Sequence, residues 1–342
     1  MRLLIQCGYC ELFDYCTSTC LLCQAVRANC KTEGGLDVGA VIFALALRAR
    51  CRALPHKLPR YRRSERMARR GMGWIPDRPD FRDFTADCEA VCKCKKPTAA
   101  GAALPAEADL RKWCSPIEDQ ADLGSCTAHA AVALVEYCER RAHGRHIDAS
   151  RLFVYKTTRR LARLHGDSGA DLRNAMGALV LFGAPPEEHW PYDTAAFDKE
   201  PTAFCYAFGQ SFQAIKYYRL DPPGARPEAT LRALKQELAR GYPAMFGFTV
   251  YTSIDDAGAD GAIPFPTEGE RIDGGHAVVA VGYADAKEIS GQQGALLIRN
   301  SWGAEWGEKG YGWLPYAYVT RGLAEDFWCL AKQEWVDTGA FE

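Results

Sequence analysis

The sequence predicts an α+β protein of two lobes with a cleft between them. Two observations lead there. Between residues 104 and 210 apolar side chains recur at helical spacing, in segments that end at glycines or prolines. Beyond residue 240 the period changes to short apolar runs bounded by Gly, Pro and Asp, which read as strands. A run of helices followed by a run of strands is the pattern of segregated layers, not of alternating βαβ units. We expect a domain over 104–335, with a helical lobe over about 104–210 and a β-rich, barrel-like lobe over about 211–335.

Residues 1–66 differ from the rest. They hold seven of the fifteen cysteines: Cys7, Cys10, Cys16, Cys20, Cys23, Cys30 and Cys51. Cys7-x2-Cys10 and Cys20-x2-Cys23 have zinc-ligand spacing. The extra thiols Cys16 and Cys30 and the lack of turn chemistry weigh against a zinc knuckle. From Arg48 to Arg70 there are ten Lys or Arg and one acid, Glu65, a block that reads as a solvated arm more readily than as a polyanion site. The segment is a candidate extension outside the natural chain, with Met67 as a candidate start. The apolar run Val38–Leu47 is too short to span a bilayer and too far along for a signal peptide, so no membrane span and no secretory address is expected and the compartment stays unassigned. With a net charge of −1 and 48% hydrophobic residues, the composition is that of an ordinary globular protein with no global field for nucleic acid.

Residues 67–103 read as a short leader. Gly71–Phe84 carries Pro76 and Pro79, which exclude a helix across them, and predicts an extended segment anchored by Trp74, Phe81 and Phe84. Lys95–Ala108 reads as a linker. Helices are expected over 126–141, 150–164, 171–182 and 229–240, the first buried on most sides because Ala131, Val132, Ala133 and Val135 leave little polar surface. Strands are expected over 244–251, 277–283 and 295–300.

The chemistry concentrates in three places. Cys126 follows Gly124-Ser125 and opens the buried helix. A helix N-terminus offers unpaired N–H groups and partial positive charge, so the thiol pKa is expected to fall and an oxyanion to be stabilised. Gln120 supplies a second oxyanion donor without adding negative charge. His276, after Gly274-Gly275 at a strand start, is the candidate to protonate a leaving amine. Asn300, at the end of the next strand, is the candidate to orient that imidazole, with Trp302 covering the bond. No metal and no cofactor is required, and Cys88-x3-Cys92-x-Cys94 has poor ligand spacing.

Gln120-x5-Cys126, then Gly275-His-Ala-Val-x-Ala-Val-Gly-Tyr283, then Asn300-Ser-Trp-Gly-x-x-Trp-Gly-x-x-Gly-Tyr311 resemble, in order, the three signature blocks of papain-family cysteine peptidases. His276 lies 150 residues after Cys126, at the edge of the usual separation. The resemblance spans roughly Leu104 to Leu330 and implies a papain-like two-lobe fold. It implies Cys126 as nucleophile, His276 as its ion-pair partner, Asn300 as orienter, and Gln120 with the Cys126 N–H as oxyanion hole. It also implies a peptide or protein substrate, and endopeptidase action, because no loop with paired histidines is present. The main side-chain pocket would be lined near Ala170, Gly247 and Gly275, with Asp326 at its far end either accepting a basic side chain or acting as a structural acceptor beside Phe327-Trp328. Thr127 and Leu123 depart from the residues common in plant and animal members. Together with Gly-Trp-Ile-Pro-Asp77 and Glu188-His-Trp-Pro-Tyr192 they look more like a bacterial branch, in which residues 71–84 latch across the cleft. A transamidase or peptide ligase on the same scaffold, and an inactive peptide-binding relative, are the alternatives.

Overall fold

The computed structural model describes residues 70–95, 103–144 and 146–335. The candidate extension 1–66 with its cysteine pairs, and Met67, lie outside the described residues. In chain order the elements are α1 (Glu89–Cys92), β1 (Glu107–Asp109), α2 (Cys126–His143), α3 (Arg151–Leu161), α4 (Leu172–Leu181), α5 (Ala203–Gly209), β2 (Phe212–Arg219), α6 (Pro227–Arg240), β3 (Ala244–Tyr251), β4 (Ile272–Ile289), β5 (Gln292–Arg299), β6 (Tyr311–Pro315), α7 (Tyr316–Thr320) and β7 (Ala324–Trp335). The strands form one antiparallel sheet in the order β2-β7-β3-β4-β5-β6, with β1 added to β4.

The two lobes share β4, and its sequence explains why. Residues 277–281 are all apolar because both faces are covered. Ala277, Val279 and Val281 join the cluster beneath α2, α3 and α4, while Val278 and Ala280 join the second cluster with Phe246, Phe248, Ile298, Leu234 and Leu238. The alternation is the two-residue period of a strand; the continuous hydrophobicity is that of a strand buried on both sides. α2 is likewise buried through its first twelve residues, and Gly144, with φ 69°, closes it in the left-handed conformation. Ser150 and Asp171 cap α3 and α4 by accepting from Phe153 N and Asn174 N.

The segment read as a linker is not one throughout. Glu107–Asp109 pairs with β4 in the register Ala108↔Tyr283. At its other end Lys95 is buried, its ammonium 2.7 Å from Glu237, which also accepts 2.7 Å from Tyr218 Oη. Val91 of α1 is fully buried in the second core cluster, and Arg219 N donates to Phe84 O. The small side chains of 95–108 suggested flexibility; long-range pairing, invisible locally, orders both ends. All eight described cysteines are free thiols.

Removing Lys95 leaves Glu237 buried with only Tyr218 and Arg240 beside it. We expect Lys95→Ala to lower unfolding stability toward the lower end of the ~3–5 kcal/mol typical of a broken buried pair, measured by urea titration. A change below a few tenths would contradict a structural role for this residue.

Candidate active site

Cys126 stands at the first turn of α2, at the bottom of the cleft, with no exposed surface. The backbone amides of Ala277, Gly73, Thr127 and Cys126 itself each favour its thiolate. The Ala277 contact sets the sulfur beside the peptide that carries His276. His276 lies in β4 opposite Phe248 of β3, and its Nε2 is 2.8 Å from Asn300 Oδ1. Ser301 N donates to the same oxygen at 2.8 Å, which fixes the amide so that Oδ1 faces the ring. The neutral imidazole therefore carries its proton on Nε2 and leaves Nδ1 as the acceptor. Nδ1 is buried without a nitrogen or oxygen partner, the state required of a group that exchanges a proton with sulfur. Trp302 stacks on the ring at 4.5 Å and 25°, sealing the His276–Asn300 bond from water.

Gln120 is fixed at both ends. Its Oε1 accepts from Ser301 Oγ at 2.6 Å and its backbone N donates to Ser301 O at 2.9 Å. Its Nε2 is thereby turned toward the cleft, where it donates to Leu123 O and to Gly71 O, each at 2.9 Å. The loop from Gln120 to Cys126 is held from below by Asp167 Oδ1, which accepts from Gly124 N and Tyr155 Oη, and by Tyr192 Oη, which bonds Gln120 O and Ser125 Oγ. Ser301, Asp167 and Tyr192 were not singled out from the sequence. Ser301 was legible as the neighbour of Asn300; the other two act across more than forty residues, with no local signal.

The pocket residues converge on a single side chain. Trp74 is buried against Gly247 and Gly275; a Cβ on Gly247 would sit 1.9 Å from its ring and one on Gly275 2.9 Å from it. Trp74 Nε1 donates to Asp326 Oδ2 at 3.2 Å, and Asp77 N to the same oxygen at 2.8 Å. Asp326 Oδ1 is already paired with Arg219 at 2.6 Å, so this acid is a structural acceptor rather than a free charge awaiting a basic side chain. The leader is clamped to both lobes: Ala170 N donates to Gly73 O and Ala170 O accepts from Ile75 N, while Trp74 N donates to Gly275 O. Gly73 is needed there, since a Cβ would fall 2.0 Å from Gly124 O. Phe81 and Phe84, expected as anchors, are 95% and 43% exposed; only Trp74 is buried.

This covering reverses the electrostatics expected of the open site. Burial pushes the Cys126 thiol up to about 11 despite the four N–H groups on it, and pushes His276 down to about 4 despite Asn300. His129 bonds Ser125 through Nδ1 and leaves Nε2 without a partner. Cys92 and Cys94 donate to Ala86 O and Ala90 O, and among the described residues no three His, Cys, Asp or Glu side chains are placed to hold a metal. No described helix is long and apolar enough to cross a membrane.

Residues 104–329 match the family model described as papain family cysteine protease. A peptidase C1-like protein of Acanthamoeba polyphaga mimivirus is 33% identical over 278 residues, covering 77% of this chain and 87% of the viral protein. Cathepsin K of Gallus gallus is 28% identical over 221 residues, covering 60% of this chain and 58% of its own length. Xylellain, a cysteine protease from Xylella fastidiosa, superposes with a TM-score of 0.63 at 34% identity, over 80% of this chain and 98% of that structure. Digestive procathepsin L 3 of the Tenebrio molitor larval midgut shares the fold, with a TM-score of 0.54 at 20% identity over 70% of this chain and 74% of its own.

A neutral thiol in a dry site is a poor nucleophile, because the thiolate is the reactive form. Iodoacetamide is expected to label Cys126 of the full chain slowly at pH 7, the rate climbing only as pH approaches about 11. Trp74→Ala, which empties the pocket, is expected to move the rate midpoint down by at least one pH unit and raise labelling at pH 7 roughly tenfold or more. Equal rates in the two proteins, read by peptide mass mapping at Cys126, would show that the leader does not control the thiol.

Proposed function

This chain belongs to the papain family of cysteine proteases and is a cysteine endopeptidase, and from that premise we propose that Cys126, His276, Asn300 and Gln120 run its chemistry and that residues 71–77 hold it silent. The observation that carries this reading is that a peptide backbone already lies in the cleft, bonded at once to the oxyanion donor Gln120, to Ala170 on one lobe and to Gly275 on the other. The surface that binds the leader is a surface for extended peptide.

With the leader displaced, water returns and the positive end of α2 acts on Cys126 without the opposing cost of burial. The Cys126 proton passes to Nδ1 of His276, and the imidazolium that results is steadied by Asn300 at Nε2. The thiolate adds to a substrate carbonyl carbon. The oxyanion takes hydrogen bonds from Gln120 Nε2 and the Cys126 N–H. His276 then protonates the leaving amine, and a water deprotonated by the same ring splits the thioester. The leader pairs in parallel with Ala170, and its Gly73 amide favours the thiolate.

Cys126→Ala should abolish hydrolysis of a peptide amide, a loss of at least about 10³. Gln120→Ala should lower kcat by roughly 10²–10³, with KM little changed. Trp74→Ala in the full chain should instead raise the initial rate severalfold, the opposite sign. A Cys126→Ala protein that still turns over in step with its purified mass would remove the assignment.

A further inference from the structure

The half of the cleft away from the Trp74 pocket carries a seat for a cation. Arg70 Cζ lies 5.1 Å from the centre of the Trp302 ring, and Trp302 in turn stacks on His276. Gly71 fixes Arg70 there, since its N donates to Ala121 O at 3.1 Å and its O accepts from Gln120. Two acids act on the same guanidinium. Burial pushes Arg70 down, and the charges of Asp119 and Asp255 push it back up. Asp119 belongs to the loop ahead of α2 and pairs with Trp302 through an isolated antiparallel bridge. Its Oδ1 accepts from Ala121 N at 2.8 Å. Its Oδ2 faces Gly303, where a Cβ would fall 3.2 Å from it. Asp255 stands on the helical turn Thr252–Asp256 after β3, whose Ile254 shares the second core cluster with Trp302. Both acids are exposed, whereas Trp302 is buried.

The site lies on the leaving-group side of the reaction. The departing nitrogen takes its proton from His276, so the part of a substrate that follows the cut begins at that ring. Trp302 is stacked on it, and each extended residue advances about 3.3 Å. The first or second side chain after the cut therefore reaches the indole that Arg70 covers here. Resting on the peptidase reading above, we propose that this enzyme prefers peptides with arginine or lysine at the first or second position after the scissile bond, and that Asp119, Asp255 and the Trp302 ring set that preference.

The chemistry of the seat supports a basic side chain and disfavours an acidic one. An aromatic face attracts a cation through its quadrupole, and two carboxylates at its rim add to that attraction. Arginine ranks above lysine because a planar, weakly hydrated guanidinium stacks on the ring, whereas an ammonium keeps its water. A glutamate in the same place would meet two like charges. The direction in which the leader runs does not alter this, because the seat reads the charge and shape of a side chain rather than backbone polarity. The two acids also offset a cost. A cation at this place works against the imidazolium of His276, as Arg70 does in addition to the larger effect of burial.

The test uses the full chain carrying Trp74→Ala, which empties the pocket. The cut in a neutral parent peptide is mapped by mass. Arginine, or its uncharged isostere citrulline, is then placed at the first or the second position after that cut. Each pair competes in one tube, so the share of closed enzyme cancels and the consumption ratio gives the ratio of kcat/KM. At one of the two positions the arginine peptide is expected to be cut at least about threefold faster, the size expected of two partly exposed charge pairs. Adding Asp119→Asn and Asp255→Asn is expected to remove at least about half of that excess. Asparagine keeps an acceptor for Ala121 N, and Asp255→Asn alone gives the same reading should the pair fold poorly. A smaller ratio at both positions, with hydrolysis still dependent on Cys126, overturns the proposal and leaves the peptidase reading standing. So does a ratio that the substitutions leave in place, since Arg70 on Trp302 is then only a fastening of the leader. Hydrolysis of none of the peptides, or hydrolysis that persists in Cys126→Ala, overturns the peptidase reading and the proposal with it.

Discussion

The peptide between Asn300 and Ser301 is the constraint on which the site depends. Asn300 Oδ1 takes the His276 Nε2 proton, Ser301 N fixes that oxygen, and Ser301 Oγ and O hold the two ends of Gln120. The proposed base belongs to the β-rich lobe and the proposed oxyanion donor to the loop ahead of α2 in the other. Both take their position from two consecutive residues at the end of β5. A shift of either lobe would therefore displace the donor and the imidazole together rather than one against the other. That matters because a displacement of about 1 Å is enough to cost two orders of magnitude in rate.

Relative magnitudes explain why the covered site is chemically quiet. The partial charge at a helix N-terminus is worth about 0.3–2 kcal/mol, at most one to two units in a thiol pKa. Full burial shifts a pKa by up to 3–5 units in the opposite direction. Cys126 is completely buried by the leader and the lobes, so desolvation wins and the sulfur keeps its proton; His276, equally buried, stays neutral for the same reason. In the mechanism proposed above, the leader blocks the cleft and disables the reaction through one cause, the exclusion of water. A helix N-terminus lowers a thiol pKa only where solvent or a counter-charge is present to share the cost.

Much of this was legible in the letters. The helices expected from 126, 150, 171 and 229 and the strands expected over 244–251, 277–283 and 295–300 correspond to observed elements because apolar period, glycine stops and Ser or Asp caps are local signals, whereas the true extent of β4, Ile272–Ile289, was not legible. Cys126, His276, Asn300 and Gln120 stood out because each sits in a motif of several residues, although His276 lies within β4 rather than at its expected start. β2 and β7 were missed. Their pairing joins Phe212 to Trp335 across more than a hundred residues, and their mixed polar and aromatic sequences carry no clean alternation. The thiol pKa went the wrong way because the expectation took Cys126 in an open site. The role of Lys95 was hidden for a related reason: a lysine in a run of small residues looks solvated until Glu237, distant in sequence, is brought beside it.

The latch must hold and yet be releasable, and the numbers allow both. Burying an indole removes roughly 150–250 Å² from water, about 4–6 kcal/mol at 25 cal/mol per Å², and four backbone hydrogen bonds add about 1 kcal/mol each. Ordering residues 71–77 costs about 1–2 kcal/mol per residue, a total of the same size. The docked carboxyl of Asp77 adds to the cost. It has no exposed surface, and burial and the neighbouring Asp326 push it up to about 8, with Arg173 only partly offsetting them. A seven-residue peptide with these contacts is close to neutral in free energy as a free ligand. What tips it toward the cleft is covalent attachment to residues 84–95, which are fixed in the core and keep the latch within reach. Residues 71–77 and 84–95 are therefore one unit in energetic terms, although only the first of them reach Gln120.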